Sequence, residues 1–88
     1  MEANEFSIQA RISTQTLHAW LDAGWLRPLR DEEATHYSEI DLARAHLIND
    51  LKNLDVNDEA MPVILDLIDQ VHGLRRLLRE VLSATKEQ

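Results

Sequence analysis

The stretch Ile12-Ser13-Thr14-Gln15-Thr16-Leu17-His18-Ala19-Trp20-Leu21-Asp22-Ala23-Gly24-Trp25-Leu26 decides the fold. Ser13 is an N-cap residue, because its side-chain oxygen can accept from the unpaired amides of the first helical turn. Leu17, Trp20 and Leu21 follow at i, i+3 and i+4 spacing and form the buried stripe of an amphipathic helix. Gly24 occupies the position that ends a helix in a left-handed cap, and Trp25 and Leu26 fold back onto the core. Upstream, Asn4 can cap a short helix from Glu5 to Ala10, with Phe6 and Ala10 one turn apart on its inner face. Arg11 and Ile12 then supply a tight turn with Ile12 directed inward. Two short helices joined in this way make a helix-turn-helix.

Downstream, Arg27 to Arg30 leaves extended, and Thr35 to Tyr37 can return antiparallel to it. Asp31-Glu32-Glu33-Ala34 becomes the tip of a small hairpin, or wing. An isolated hairpin is marginal, so this one leans on the helices through Leu29 and Tyr37. Ser38-Glu39-Ile40-Asp41 reads as a capping box with Asp in place of Glu or Gln. The third helix runs to about Asn53 with Ile40, Ala43, Leu47, Leu51 and Leu54 as one stripe, widened by Leu42, Ala45 and Ile48. After the link Asp55-Val56-Asn57, a long last helix begins near Asp58, capped by Asn57 or Asp58. Asp58 and Glu59 suit its positive end, and Pro62 is tolerated near its start.

Ile64, Leu67, Val71, Leu74, Leu78 and Val81 recur at alternating spacings of three and four along that helix. Such an a/d seam predicts pairing with a second copy, parallel or antiparallel, making the chain a homodimer; the alternative is that helix 3 packs along the stripe as intramolecular core. Leu65, Ile68, Leu77 and Leu82 add a second apolar flank, and Gly73 weakens the helix by about 1 kcal/mol relative to Ala. Residues from Ser83 to Gln88 are expected to fray. The domain plan is therefore residues 1–54 as a winged helix-turn-helix and residues 55–88 as a long C-terminal helix.

Charge narrows the function. The chain has 88 residues with nine Lys and Arg against 16 Asp and Glu, a net charge of −7. Residues 1–30 and 60–88 are each balanced. The whole excess comes from Asp31, Glu32, Glu33, Glu39, Asp41, Asp50, Asp55, Asp58 and Glu59, opposed only by Arg44 and Lys52. A DNA-reading helix-turn-helix draws most of its affinity from cations that displace phosphate counterions. An acidic wing repels phosphate, which argues against nucleic acid and for a basic protein partner.

Other chemistry finds no support. With no cysteine, neither a disulfide framework nor a thiolate metal site can form. His18, His36, His46 and His72 do not share metal-ligand spacing, so no metal and no cofactor is expected. No nucleophile triad, phosphate loop or paired-carboxylate motif is present, so the chain is not expected to be an enzyme and no catalytic residue is assigned. Trp20 and Trp25 could stack on bases, but their leucine neighbours place them in the core. The N-terminus lacks a secretory pattern and no apolar run approaches the roughly 20 residues of a membrane span. The expected location is cytoplasmic.

The order of helix, Ile12-Ser13, Thr16-Leu17, Ala23-Gly24-Trp25-Leu26-Arg27-Pro28, wing and Tyr37-Ser38-Glu39-Ile40-Asp41-Leu42 resembles the MerR-like winged helix-turn-helix. The resemblance covers residues 4 to about 52 and implies a mostly α fold with a hairpin wing. MerR regulators that bind DNA usually follow the helix 2 leucine with a basic residue and an aromatic, where this chain has His18 and Ala19. Their wing typically carries Arg, Asn-Gly and a second Arg before the tyrosine, where this chain has Asp31 to His36. The compact length, the acidic middle and Asn57-Asp58-Glu59-Ala60-Met61-Pro62-Val63-Ile64 entering a long helix look more like the CbpM chaperone-modulator family. That resemblance implies binding to the J-domain of a CbpA/DnaJ-like co-chaperone, preventing it from stimulating DnaK. Those nine acids are then the candidate contacts, although Asp41 and Asp58 suit capping better. The alternative is a MerR-like DNA-binding transcriptional regulator that places Arg11, His18, Arg27, Arg30 and Arg44 on phosphates. A third class, a purely structural oligomerisation module, predicts that acidic-surface substitutions affect no partner.

Overall fold

The computed structural model describes residues 1–86. The element order is α1 (Ala3–Ala10), α2 (Thr14–Asp22), β1 (Leu29–Arg30), β2 (Thr35–His36), α3 (Glu39–Asn53) and α4 (Met61–Lys86). The chain is mostly helical, with one two-stranded antiparallel sheet among the described residues. It divides into two compact units, residues 1–57 and residues 58 onward.

In the first unit, α1 packs against both α2 and α3. The helix starts at Ala3 rather than after Asn4, and no side chain caps it. Tertiary contacts set this start. Phe6 stacks on Tyr37, and the backbone of Tyr37 exchanges two hydrogen bonds with Met1, at 3.0 and 2.8 Å. Arg11 closes α1 in the left-handed region, with φ 59°. Ser13 caps α2 as its sequence predicts, its Oγ accepting from the Thr16 amide at 3.0 Å. At the other end Gly24 adopts φ 78°. The Trp25 amide bonds to the Trp20 carbonyl and the Gly24 amide to Leu21, which is the paired arrangement of a Schellman cap. That turn folds Trp25 and Leu26 inward, where they are buried with Phe6, Leu17, Trp20, Tyr37, Ala45 and Ile48. Trp20 and Trp25 are thus core residues, 6.2 Å apart between ring centroids.

The hairpin pairs Leu29 with His36 and Arg30 with Thr35. Leu29 does not lean on the core; it is 74% exposed, because strands of two residues are too short to turn it under the sheet. Buried Tyr37 anchors the wing. Ser38 and Asp41 form the full capping box, Ser38 Oγ accepting from the Asp41 amide and Asp41 Oδ2 from the Ser38 amide at 2.9 Å.

On α3 the buried face is Ala45 and Ile48, flanked by half-buried Leu42 and Asn49. The stripe of Ile40, Ala43, Leu47, Leu51 and Leu54 expected to face the core instead turns partly or wholly outward. Close approach to α1 explains the choice of face. It favours the small Ala45, and Asn49 donates to the Ala10 carbonyl at 3.0 Å, satisfying the end of α1.

In the second unit, residues 58–60 form a turn and α4 begins at Met61, three residues later than expected. The Ala60 carbonyl accepts the Ile64 amide at 3.1 Å, and Pro62 sits in the first turn, where its missing N–H costs nothing. Met61 and Leu65 are buried. Ser83 to Thr85 stay helical rather than frayed, and Glu87 and Gln88 lie outside the described residues. Among the described residues no helix is long and apolar enough to cross a membrane.

Candidate partner-binding surface

The wing tip is a closed acidic turn. One carboxylate oxygen of Asp31 accepts from the amides of Glu33 at 2.8 Å and Ala34 at 2.9 Å. Its other oxygen contacts His36 Nε2 at 2.8 Å. The Ala34 amide, then His36, then the Glu33 amide hold the Asp31 carboxyl down to about 2, so it stays ionised. Because this charge is satisfied within the turn, the carboxylates offered outward at the tip are those of Glu32 and Glu33, both exposed.

The outward face of α2 is where a DNA-reading helix needs cations. Its exposed residues are Thr14, Gln15, His18, Ala19 and Asp22, with no Lys or Arg among them. Arg11, Arg27 and Arg30 are exposed around the helix-turn-helix, whereas half-buried Arg44 donates its Nε to the Trp25 carbonyl. One of the five residues proposed for phosphate therefore points into the fold.

Of the remaining acids, Glu39, Asp50, Asp55, Asp58 and Glu59 are exposed. Half-buried Asp41 spends its carboxylate on the capping box. Asp55 lies in the left-handed region, with φ 63°. Asp31 to Asp55 belong to the first unit and Asp58 and Glu59 to the second. The seam of α4 is open for most of its length: Leu67, Val71, Leu74, Leu78 and Val81 are all exposed and Ile64 is half-buried.

A polar cleft of about 590 Å³, not expected from the sequence, lies where the end of α1 meets α3. Gln9, Arg11, His46, Asn49, Asp50 and Asn53 line it. His46 Nε2 lies 3.3 Å from the Gln9 carbonyl, so His46 and Asn49 together hold the last carbonyls of α1. The available signal was the spacing of His46, Asn49, Asp50 and Asn53, which puts them along one edge of α3. Among the described residues no group of three or more His, Cys, Asp or Glu could hold a metal ion.

Residues 1–66 match the family model described as MerR HTH family regulatory protein. No curated protein matches the chain. Among solved structures, the chain is similar to the transcription regulator PbrR691 from Ralstonia metallidurans CH34, crystallised in complex with lead(II). Identity is 21% and the TM-score 0.75, over 99% of this chain and 81% of that one, a likeness of fold. With the family model spanning the helix-turn-helix, the wing and the start of α4, the chain belongs to the MerR helix-turn-helix family of regulatory proteins.

Proposed function

We propose that this MerR-family chain regulates through a basic protein partner, the J-domain of a CbpA/DnaJ-like co-chaperone, and blocks its stimulation of DnaK without catalysing a reaction itself. The observation that carries this is the sign of the surface. The wing tip offers Glu32 and Glu33 around an Asp31 locked in its ionised form, beside an α2 face without a single Lys or Arg. Complementary charge of this kind speeds encounter and sets orientation more than it adds affinity. Glu32, Glu33, Glu39, Asp50, Asp55, Asp58 and Glu59 are the proposed contacts, with Asp31 and Asp41 contributing mainly through the turn and the cap they close. Reversing Glu32 and Glu33 to Lys, which leaves the Asp31 turn intact, tests the proposal: binding to the J-domain weakens and loses salt sensitivity while the helical signal is retained. Unchanged affinity and salt dependence would move the interface away from the wing.

A DNA-binding transcription regulator is the second reading, and the comparisons favour it more directly. The family is one of regulatory proteins, and the solved relative is described as a transcription regulator. On this reading Arg11, Arg27 and Arg30 meet phosphates, and dimerisation sets two half-sites at a fixed spacing. A salt-dependent shift of genomic fragments at physiological ionic strength is its test.

Either activity is proposed to reside in a homodimer held by Ile64, Leu67, Val71, Leu74, Leu78 and Val81. An antiparallel pairing of two α4 helices sets Ile64 opposite Val81, Leu67 opposite Leu78 and Val71 opposite Leu74 in one register. A parallel pairing would instead set each of these residues opposite its own copy.

A further inference from the structure

We infer that the outward ridge of α3, Ile40, Ala43, Leu47 and Leu54, is the docking face for an amphipathic helix of the protein partner, one whose apolar stripe is edged by Lys or Arg. This rests on the partner-binding proposal above and assigns it a surface. Ile40 and Leu54 are 80% and 75% exposed, Ala43 is exposed and Leu47 half-buried. Ile40, Leu47 and Leu54 recur every seven residues, so they line up along a stretch of about 21 Å at 1.5 Å per residue. Leaving such side chains in water is unfavourable at roughly 25 cal/mol per Å² of apolar surface, and a helix laid along them removes that cost.

The edge of the ridge specifies the occupant. At 3.6 residues per turn, Glu39 and Asp50 lie along one side of it, and Asp55 follows its end. Among the described residues, the carboxylates of Glu39, Asp50 and Asp55 make no hydrogen bond or ion pair. These exposed carboxylates are solvated in the free chain and stand open to the cationic side chains of a partner. Asp50 also lines the polar cleft at the end of α1, so the surface runs from apolar ridge to acidic edge to open cleft. A long cationic side chain crossing the ridge reaches Asp50 with room beyond it. A nucleic acid fits poorly, since the ridge offers no cation and its edge repels phosphate. A second copy of this chain is the other candidate occupant, since Leu77 and Leu82 of its α4 stay exposed outside the seam, and the sedimentation control below separates the two.

Two variants of the full chain test this against an isolated J-domain by calorimetry, with sedimentation as a control. Ile40→Ser with Leu54→Ser alters only exposed side chains, and binding weakens at least tenfold with its salt dependence retained. Asp50→Lys, on an exposed residue, weakens binding and lowers the salt dependence, and it stands alone should the double variant fold poorly. Parent-like affinity in both variants overturns the ridge and leaves the partner proposal standing. Absence of binding by the parent chain overturns the partner proposal and the ridge with it. A change from dimer to monomer in the double variant assigns the ridge to a second copy, which also overturns the inference.

Discussion

Phe6 and Tyr37 stack with ring centroids 4.4 Å apart and planes inclined by 18°, tying α1 to the end of the wing. Phe6 has no exposure and Tyr37 5%, so the pair closes the core on the side where the hairpin would otherwise swing free. Phe6→Ala removes the stack and leaves a cavity, costing about 3–5 kcal/mol. For a domain this small, each kcal/mol is worth roughly 4–8 °C in Tm. A melting curve monitored by circular dichroism should therefore show a loss of cooperative unfolding or a Tm lowered by more than about 12 °C. A shift of only a few degrees would mean that the wing is not anchored through this contact.

Ser7, one residue along, makes the opposite case. It is buried, and its hydroxyl has no hydrogen-bond partner. An unsatisfied buried polar group costs about 1–3 kcal/mol, and Ala has the higher helix propensity. Ser7→Ala is expected to raise Tm, and a lowered Tm would reveal a partner for the hydroxyl.

The wing responds to acid through Asp31. Its carboxyl is held down to about 2 from an ordinary 3.8 by the Ala34 amide, His36 and the Glu33 amide. A depressed carboxyl contributes stability that is fully present above the ordinary value and is lost as pH falls through about 2. Carboxyl-carbon NMR should find the Asp31 midpoint near that lower value. A midpoint near the ordinary value would mean that the turn does not close on this side chain.

Much of this fold is legible in particular residues. Ser13, Gly24 and the Ser38–Asp41 box act through bonds to amides within a few positions, so sequence alone locates them. The wing register follows from the same short range. The face of α3 could not be chosen from periodicity, because both of its stripes are apolar. Burial of Ala45 and Ile48 depends on how closely α1 approaches, a tertiary fact. The start of α1 escaped for a related reason: the Tyr37 contacts outweigh the cap that Asn4 offers. Charge counting found the acidic surface, but it could not tell that Asp31 and Asp41 spend their carboxylates on local bonds. The exposed ridge and the adjoining cleft follow from which face α3 turns to α1, which is likewise a tertiary fact.

The α4 seam makes a prediction independent of the partner. The chain has no cysteine, so single cysteines report pairing without background. An equimolar mixture of Leu67→Cys and Leu78→Cys chains should oxidise mainly to the mixed disulfide, since an antiparallel pair sets these positions opposite each other. Leu67→Cys alone should crosslink poorly. Efficient self-crosslinking of Leu67→Cys would establish a parallel pair, and no crosslinking in either sample would remove the homodimer.

The most direct test of the central claim is a calorimetric titration of the parent chain with an isolated CbpA-type J-domain at two salt concentrations. Saturable binding that weakens with added salt is the expected result. No binding to the J-domain, together with a salt-dependent shift of genomic DNA fragments, would contradict it and return this scaffold to transcription.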